Sequence, residues 1–396
     1  MEAFVPVKAV TSSPGFHWFG YYDKLQFDQS QRYLLSMAVD FEGRSPRADD
    51  VIQLGLIDLE DGNRWTDIAQ TRSWCWQQGC MLQWVPGKDR TVIWNDRDGD
   101  RFVAYMMDLD KGETVKLPRA VYALSPDGKK AVAPDFRRVN HLRPGYGYTG
   151  IPDPNEKRPA PDDSGIWLID LDQGTEELII AVDQISRFEF DTDQQPHSMH
   201  YFNHLLVNTD GSRFEFLHRW RPIMENAQLA GFRTRMLTAD MDGSNLRVVD
   251  GSGRTSHFIW KDSHHILAYT KPDGEEYAFY LFDERDGSYI CELGERLNGH
   301  CTYLPGSEWI LNDTYPQGEG RSQDLYLYNI NSEKRIPLGS FPAPPAYEGE
   351  WRCDLHPRFS PDGTMVCIDS AHENGRRPGR RPGRQLYLLD VAEIVK

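Results

Sequence analysis

Two hydrophobic patterns alternate along the chain. The first is a polar turn between two apolar runs, the mark of a strand, a tight turn and a returning strand. It reads FDQSQRYLLS from Phe27, WVPGKDRTVIW from Trp84, LSPDGKKAV from Leu124, NTDGSRFEFL from Asn208, WKDSHHILAY from Trp260, LPGSEWILN from Leu304 and FSPDGTMVCI from Phe359. The second is an alternating strand that ends in an acidic or polar turn. It reads LGLIDLEDG from Leu54, AYMMDLDKG from Ala104, IWLIDLDQG from Ile166, RMLTADMDGS from Arg235, FYLFDERDGS from Phe279, LYLYNINSEK from Leu325 and QLYLLDVAE from Gln385. Each pattern occurs seven times and the two interleave strictly, so every period supplies two hairpins, or about four strands. Periods of roughly 40 to 60 residues built this way predict an all-β, seven-bladed β-propeller, with four-stranded blades packed around a central channel. No helical period competes with the aromatic and β-branched strand residues.

The expected organisation is one propeller domain spanning 1–396. The segment 137–165 is rich in Pro, Gly and charge and reads as an insertion loop in the third blade. FPAPPAYEGE at 341–350 links blades six and seven, and GRRPGRRPGR at 375–384 reads as a solvated basic loop in the last blade. The N-terminal FVPVKAV is expected to add the outer strand of the last blade and close the ring.

Composition narrows the function. Of 396 residues, 39% are hydrophobic and 26% charged, enough apolar material for a core. Lys and Arg number 44 against 60 Asp and Glu, a formal net charge of −16. No basic surplus exists to neutralise phosphates, so no nucleic-acid partner is expected. An anionic substrate would have to be captured locally, by a few cations or a metal. No run of about 18 apolar residues occurs, so no membrane span is expected. The opening MEAFVPVKAVTSSPG has no basic stretch followed by an apolar one, and the six cysteines form no CxxC pair. Reduced thiols and a cytoplasmic location are the expectation.

In propellers, residues just before the innermost strand, at the end of the second and at the start of the third converge on one face. That face collects His17, Tyr21, Tyr22, Gln77, Gln78, Asn203, His204, His257, His300, Asp354 and His356 near inner strands. Ends of second strands add Asp96, Asp135, Arg137, His218, Arg219, Asp313 and His372, and Arg235 opens a third strand. His257, His300 and His356 hold equivalent positions in three successive blades. Imidazoles so placed, with Asp354 two residues before His356, suit a transition-metal site; in a strand, positions i and i+2 share a face. Cys301 and Cys353 flank these positions, as soft ligands or as buried filler. The aromatic run FHWFGYYDK (16–24) fits either a sugar-stacking platform or an inner-strand core.

From about His197 to the C-terminus these motifs resemble oligogalacturonate lyase, a seven-bladed propeller enzyme that cleaves uronate oligosaccharides by β-elimination. LHRW (217–220) looks like the end of a second strand in that family, and RMLTADMDGSN resembles the segment with its catalytic arginine, here Arg235. SHFIW (256–260) is similar to the segment with its base, here His257, while GHCTYLPGS and DLHPRFSPDG put His300 and His356 on metal-ligand positions. The family has a histidine where this chain has Asp354, and a glutamine where it has Trp351. Ulvan lyases and rhamnose–glucuronate lyases share the plan. The resemblance implies a polysaccharide lyase acting on an anionic uronate oligosaccharide with a divalent metal, manganese or zinc rather than calcium. His300, Asp354, His356 and His218 would hold the ion, His257 would act as base and Arg235 as carboxylate clamp. Beside the resemblance, Tyr22, Tyr201 and Arg219 are substrate-binding candidates, the two tyrosines as proton donors to the leaving oxygen. A non-catalytic TolB-like propeller that binds protein or glycan stays open, as does a glycoside hydrolase using a pair from Asp96, Asp135 and Asp313. Oligomeric state is not readable from these patterns.

Overall fold

A computed structural model describes residues 1–12, 14–189, 197–226, 228–373 and 383–396. Seven antiparallel sheets form seven blades in chain order. The innermost strands are Phe16–Trp18, Gln83–Trp84, Ala123–Leu124, Ser198–Val207, Phe258–Trp260, Thr302–Tyr303 and Arg358–Phe359. The N-terminus closes the ring as expected: Val7–Ala9 pairs with Gln385–Asp390 as the outer strand of blade seven. It also stitches the next blade, since Glu2–Ala3 pairs with Lys334–Pro342 and gives blade six a fifth strand.

The repeated turn residues have a common geometry. Where the third strand turns into the fourth, the Asp58, Asp108, Asp170 and Asp283 carboxylates each accept the N–H of the residue two positions on, at 3.1, 3.0, 3.0 and 2.9 Å. These are Asx turns, which explains why an acid recurs there. In SPDG, the Ser125 hydroxyl donates to Asp127 at 2.6 Å and Ser360 donates to Asp362 at 2.7 Å. Gly128 in the first of these turns has φ +65°, and a Cβ there would strike the Pro86 carbonyl oxygen of blade two.

Three short helices were not legible in the sequence: α1 (Phe136–Leu142), α2 (Val182–Arg187) and α3 (Ala392–Val395). Seven residues or fewer make at most two turns, too few to show a 3.6-residue period. α1 lies inside the insertion, between the second strand of blade three (Lys130–Pro134) and the third (Gly165–Asp170). The Asp135 side chain caps it by accepting the Arg137 N–H.

Most of the basic run 375–384 lies outside the described residues. Its last member is not solvated: Arg384 is buried, paired with Glu42 at 2.8 Å. The run 16–24 is core rather than platform, with Phe16, Trp18, Phe19, Tyr21 and Tyr22 all buried. Among the described residues, no helix is long and apolar enough to cross a membrane.

Candidate functional site

Two departures from regular strands build the site. In blade one the chain leaves the inner strand after Trp18 and rejoins its neighbour at the Phe27–Leu34 bridge. Tyr21 and Tyr22 lie on this excursion, after the inner strand has begun rather than before it. In blade four, Asn203 and Leu205 pair with successive residues of the next strand, leaving His204 as a bulge residue with φ +52°. His204 swings inward, 3.4 Å from Asp23 and stacked on Phe258 with centroids 4.0 Å apart. One buried ion pair, Arg358 to Asp369 at 2.8 Å, serves two segments. Asp369 accepts the N–H groups of Phe19 and Gly20, which aim the two tyrosines, and Arg358 donates to the His356 carbonyl.

His257, His300 and His356 each precede an inner strand, and their rings meet near the channel. Centroids are 4.3 Å apart for His257 and His300 and 4.4 Å for His300 and His356. One ligand atom each from His300, Asp354 and His356 lies within 4.8 Å of the others. Asp354 and His356 are not in a strand, because blade seven's inner strand begins only at Arg358. The i, i+2 argument therefore fails, and their convergence comes from His356 at φ +41°. A non-glycine residue held there costs of order 1–3 kcal/mol, a strain that clusters at functional sites.

The polarity of each ring is fixed from behind. Asp313 accepts both the His300 backbone N–H, at 2.7 Å, and Nδ1–H, at 2.9 Å. The His300 Nε2 lone pair is thereby turned to the site, where it meets no partner; His356 Nε2 is likewise buried and unpartnered. His257 Nδ1 lies 2.9 Å from the Asn298 side-chain oxygen, and Asn298 donates in turn to Ser256. That arrangement puts the His257 proton on Nδ1 and leaves Nε2 basic, 3.4 Å from the Tyr315 hydroxyl. Burial holds His257 and His356 well below the usual imidazole range, and neighbouring His300 adds to it. Burial pulls His300 the same way, but the Asp313 carboxylate outweighs it and raises His300 above its usual value. Two bare imidazole nitrogens and a carboxylate suit a divalent transition ion. Asp354 is steadied by Arg352 at 2.7 Å, which also donates to the Tyr146 hydroxyl at 2.6 Å.

His257 opens into a cleft of about 450 Å³ whose wall includes Tyr146, Arg219, Arg254, Tyr277 and Tyr315. Tyr315 and Tyr146 were not anticipated as site residues. Tyr315 had a signal, since it follows Asp313 at the end of a second strand; Tyr146 reaches the cleft through the insertion, whose path no repeat specifies.

Several expected residues stand elsewhere. His218 is not in the metal group: its Nε2 lies 2.9 Å from His200 Nδ1, and its Nδ1 accepts from Arg235 at 3.0 Å. Arg235 is not free to clamp a carboxylate. Its guanidinium donates to the carbonyls of Ile185, Phe188 and Glu189 around the end of α2, at 2.8 to 2.9 Å. Tyr22 donates to the Phe258 carbonyl at 2.7 Å across the channel, so its hydroxyl is committed to backbone. Tyr201 is fully buried beside Leu142 and Met199 and does not line the cleft. Arg219 does line it. Cys301 and Cys353 are buried filler outside the metal group, their thiols kept protonated by burial. Trp351 packs on Tyr347, centroids 5.0 Å apart. His17 packs on Trp65 and His372 on Tyr387, away from the cluster. The carboxylates weighed for hydrolysis have local partners: Asp96 binds Thr71, Asp135 binds Arg137 and Asp313 binds His300.

No family model and no curated protein matches the sequence. Solved structures do match the fold. An oligogalacturonate lyase from Vibrio parahaemolyticus superposes with a TM-score of 0.69 at 16% identity, covering 99% of this chain and 95% of that one. An oligogalacturonate lyase in complex with manganese gives 0.67 at 16% identity, covering 98% and 94%. A puromycin-hydrolyzing peptidase of Mycobacterium tuberculosis gives 0.55 at 13% identity, covering 96% of this chain and 55% of that one. The chain thus resembles oligogalacturonate lyase over nearly its whole length, in a propeller plan that peptidases also use.

Proposed function

We propose that this propeller is a lyase that cleaves uronic-acid oligosaccharides by metal-assisted β-elimination. One observation carries the reading: two buried, unpartnered imidazole nitrogens and a carboxylate face one point, beside a third histidine whose basic nitrogen opens into a cation-lined cleft. A purely structural channel has no use for buried nitrogens without partners.

His300 Nε2, His356 Nε2 and an Asp354 oxygen would hold a divalent ion, manganese or zinc by donor type. Bound there, such an ion neutralises the uronate carboxylate and stabilises the charge that develops at C5. The remaining chemistry belongs to the chain. His257 Nε2 takes the C5 proton; its low proton affinity keeps it neutral and ready at pH 7. The electron pair forms the C4–C5 double bond as the C4–O bond breaks. Tyr315, in reach of His257 Nε2, supplies a proton to the leaving oxygen. Arg219 contributes positive charge to the cleft wall.

The test is a screen of uronate oligosaccharides with added Mn²⁺ or Zn²⁺, followed by the ultraviolet absorbance of a 4,5-unsaturated product. Metal-dependent absorbance is expected. Reducing ends released without it would point to hydrolysis, and saturable binding without turnover to a non-catalytic propeller.

A further inference from the structure

The third-blade insertion brings Arg143 to the wall of the His257 cleft, opposite Arg219 of blade four. Both guanidiniums lie over one ring, that of Phe232, at 4.3 and 4.6 Å from its centroid. Arg219 is 5% exposed, and its Nε and Nη1 meet no hydrogen-bond acceptor; the Nε of Arg143 is also buried without one. Three other buried arginines each have a carboxylate partner: Arg138 has Asp153, Arg358 has Asp369 and Arg384 has Glu42. The cleft wall carries three arginines and, among the described residues, no Asp or Glu. Arg254 has Asp273 as a partner at the outer rim, which leaves Arg143 and Arg219 as the inner pair. In a chain of net charge −16, such a stretch of wall is a local exception.

Two guanidiniums on one ring repel each other, and burying Arg219 with two nitrogens unpartnered is unfavourable. Burial, and then the Arg143 charge, hold Arg219 below its usual range. A planar oxyanion relieves both effects, since each fork offers N–H groups matched to two oxygens. We propose that Arg143 and Arg219 form an anion subsite in this cleft, separate from the His300–Asp354–His356 group, which holds an oxyanion on the sugar next to the one cleaved. Phe232, 43% exposed, supplies a ring face beside it. The ligand class is then an oligosaccharide with at least two anionic groups, the second being a uronate carboxylate or a sulfate ester. The subsite deepens the lyase reading and rests on it for the identity of the chain.

The experiment is calorimetric titration of chelator-treated protein, so that the metal group does not contribute. The probes are galacturonate, trigalacturonate and triglucuronate. A trisaccharide is expected to bind wild type more tightly than the monosaccharide. Arg143→Met and Arg219→Lys should each weaken the trisaccharide by roughly 10- to 100-fold, the effect of one charged contact, and leave galacturonate within about twofold. Arg143 is only half-buried, so its variant stands even if Arg219→Lys fails to fold; a thermal melt identifies that case. Stronger displacement of the trisaccharide by inorganic sulfate than by acetate assigns the subsite to a sulfate ester, and the reverse order to a carboxylate. Equal trisaccharide affinity in wild type and folded Arg143→Met overturns the proposal. Arginine-dependent binding without metal-dependent turnover would sink the lyase reading and keep the subsite. Turnover with binding indifferent to both arginines would do the opposite.

Discussion

Asp313→Asn tests whether the metal group is oriented from behind. Asp313 is fully buried and accepts two bonds from His300, one from its backbone and one from its ring. Asparagine keeps an acceptor for the backbone N–H, so the fold should survive, but it removes the charge that makes the ring a strong donor. Partners of this kind are worth about 10- to 100-fold in metal affinity, or roughly 1.4 to 2.7 kcal/mol. The pH dependence carries a second signature. With Asp313 ionised, His300 lies above its usual value, so a proton competes for Nε2 above pH 6.5. Wild-type affinity should therefore climb with pH through that range, by up to about tenfold per unit while one proton must leave. In the variant, burial is left as the leading influence, His300 moves down, and the profile flattens. The wild-type advantage should shrink towards pH 6 and widen towards pH 8. The assay is calorimetric titration of Mn²⁺ into chelator-treated protein at pH 6, 7 and 8, with a thermal melt as control. Parallel profiles, or equal affinity at pH 8, would refute the reasoning.

His257→Ala should lower kcat by roughly 10²–10⁴-fold, as for a lost general base, with KM little changed; wild-type turnover would move the role to Tyr315. Arg235→Lys should cost about 1.5–3 kcal/mol in urea denaturation, because lysine cannot span three carbonyls and a histidine. Its turnover should stay within a few-fold of wild type; collapse of turnover at unchanged stability would restore the clamp. Acid should destabilise the fold between pH 6.5 and about 4, because burial lowers His200 and His204 to about 4. A histidine depressed in the folded state contributes stability above 6.5 that is lost as pH falls, by up to about 1.4 kcal/mol per unit per group. Urea titrations at pH 7, 6 and 5 measure this, and a flat series would show that these rings are not held neutral.

What the sequence determined by itself was whatever repeats locally. Every blade repeats the same two turn patterns, so seven blades can be counted from them, and in four blades Asp58, Asp108, Asp170 and Asp283 form the same Asx turn in register with the strands. Equivalence between blades also singled out His257, His300 and His356, because residues preceding inner strands all arrive at one channel mouth. Tertiary structure decided which neighbours compete for a side chain. Arg235, Tyr22 and His218 have the right chemistry, yet α2, the Phe258 backbone and His200 take their hydrogen-bonding groups. Segments outside the repeat decided the rest. The excursion through Tyr21 and Tyr22, the bulge at His204 and the insertion bearing Arg143 and Tyr146 obey no period. The tyrosine excursion is placed by long-range contacts such as those of Asp369 with the Phe19 and Gly20 N–H groups, which join residues 350 and 349 positions apart and leave no local trace in the chain.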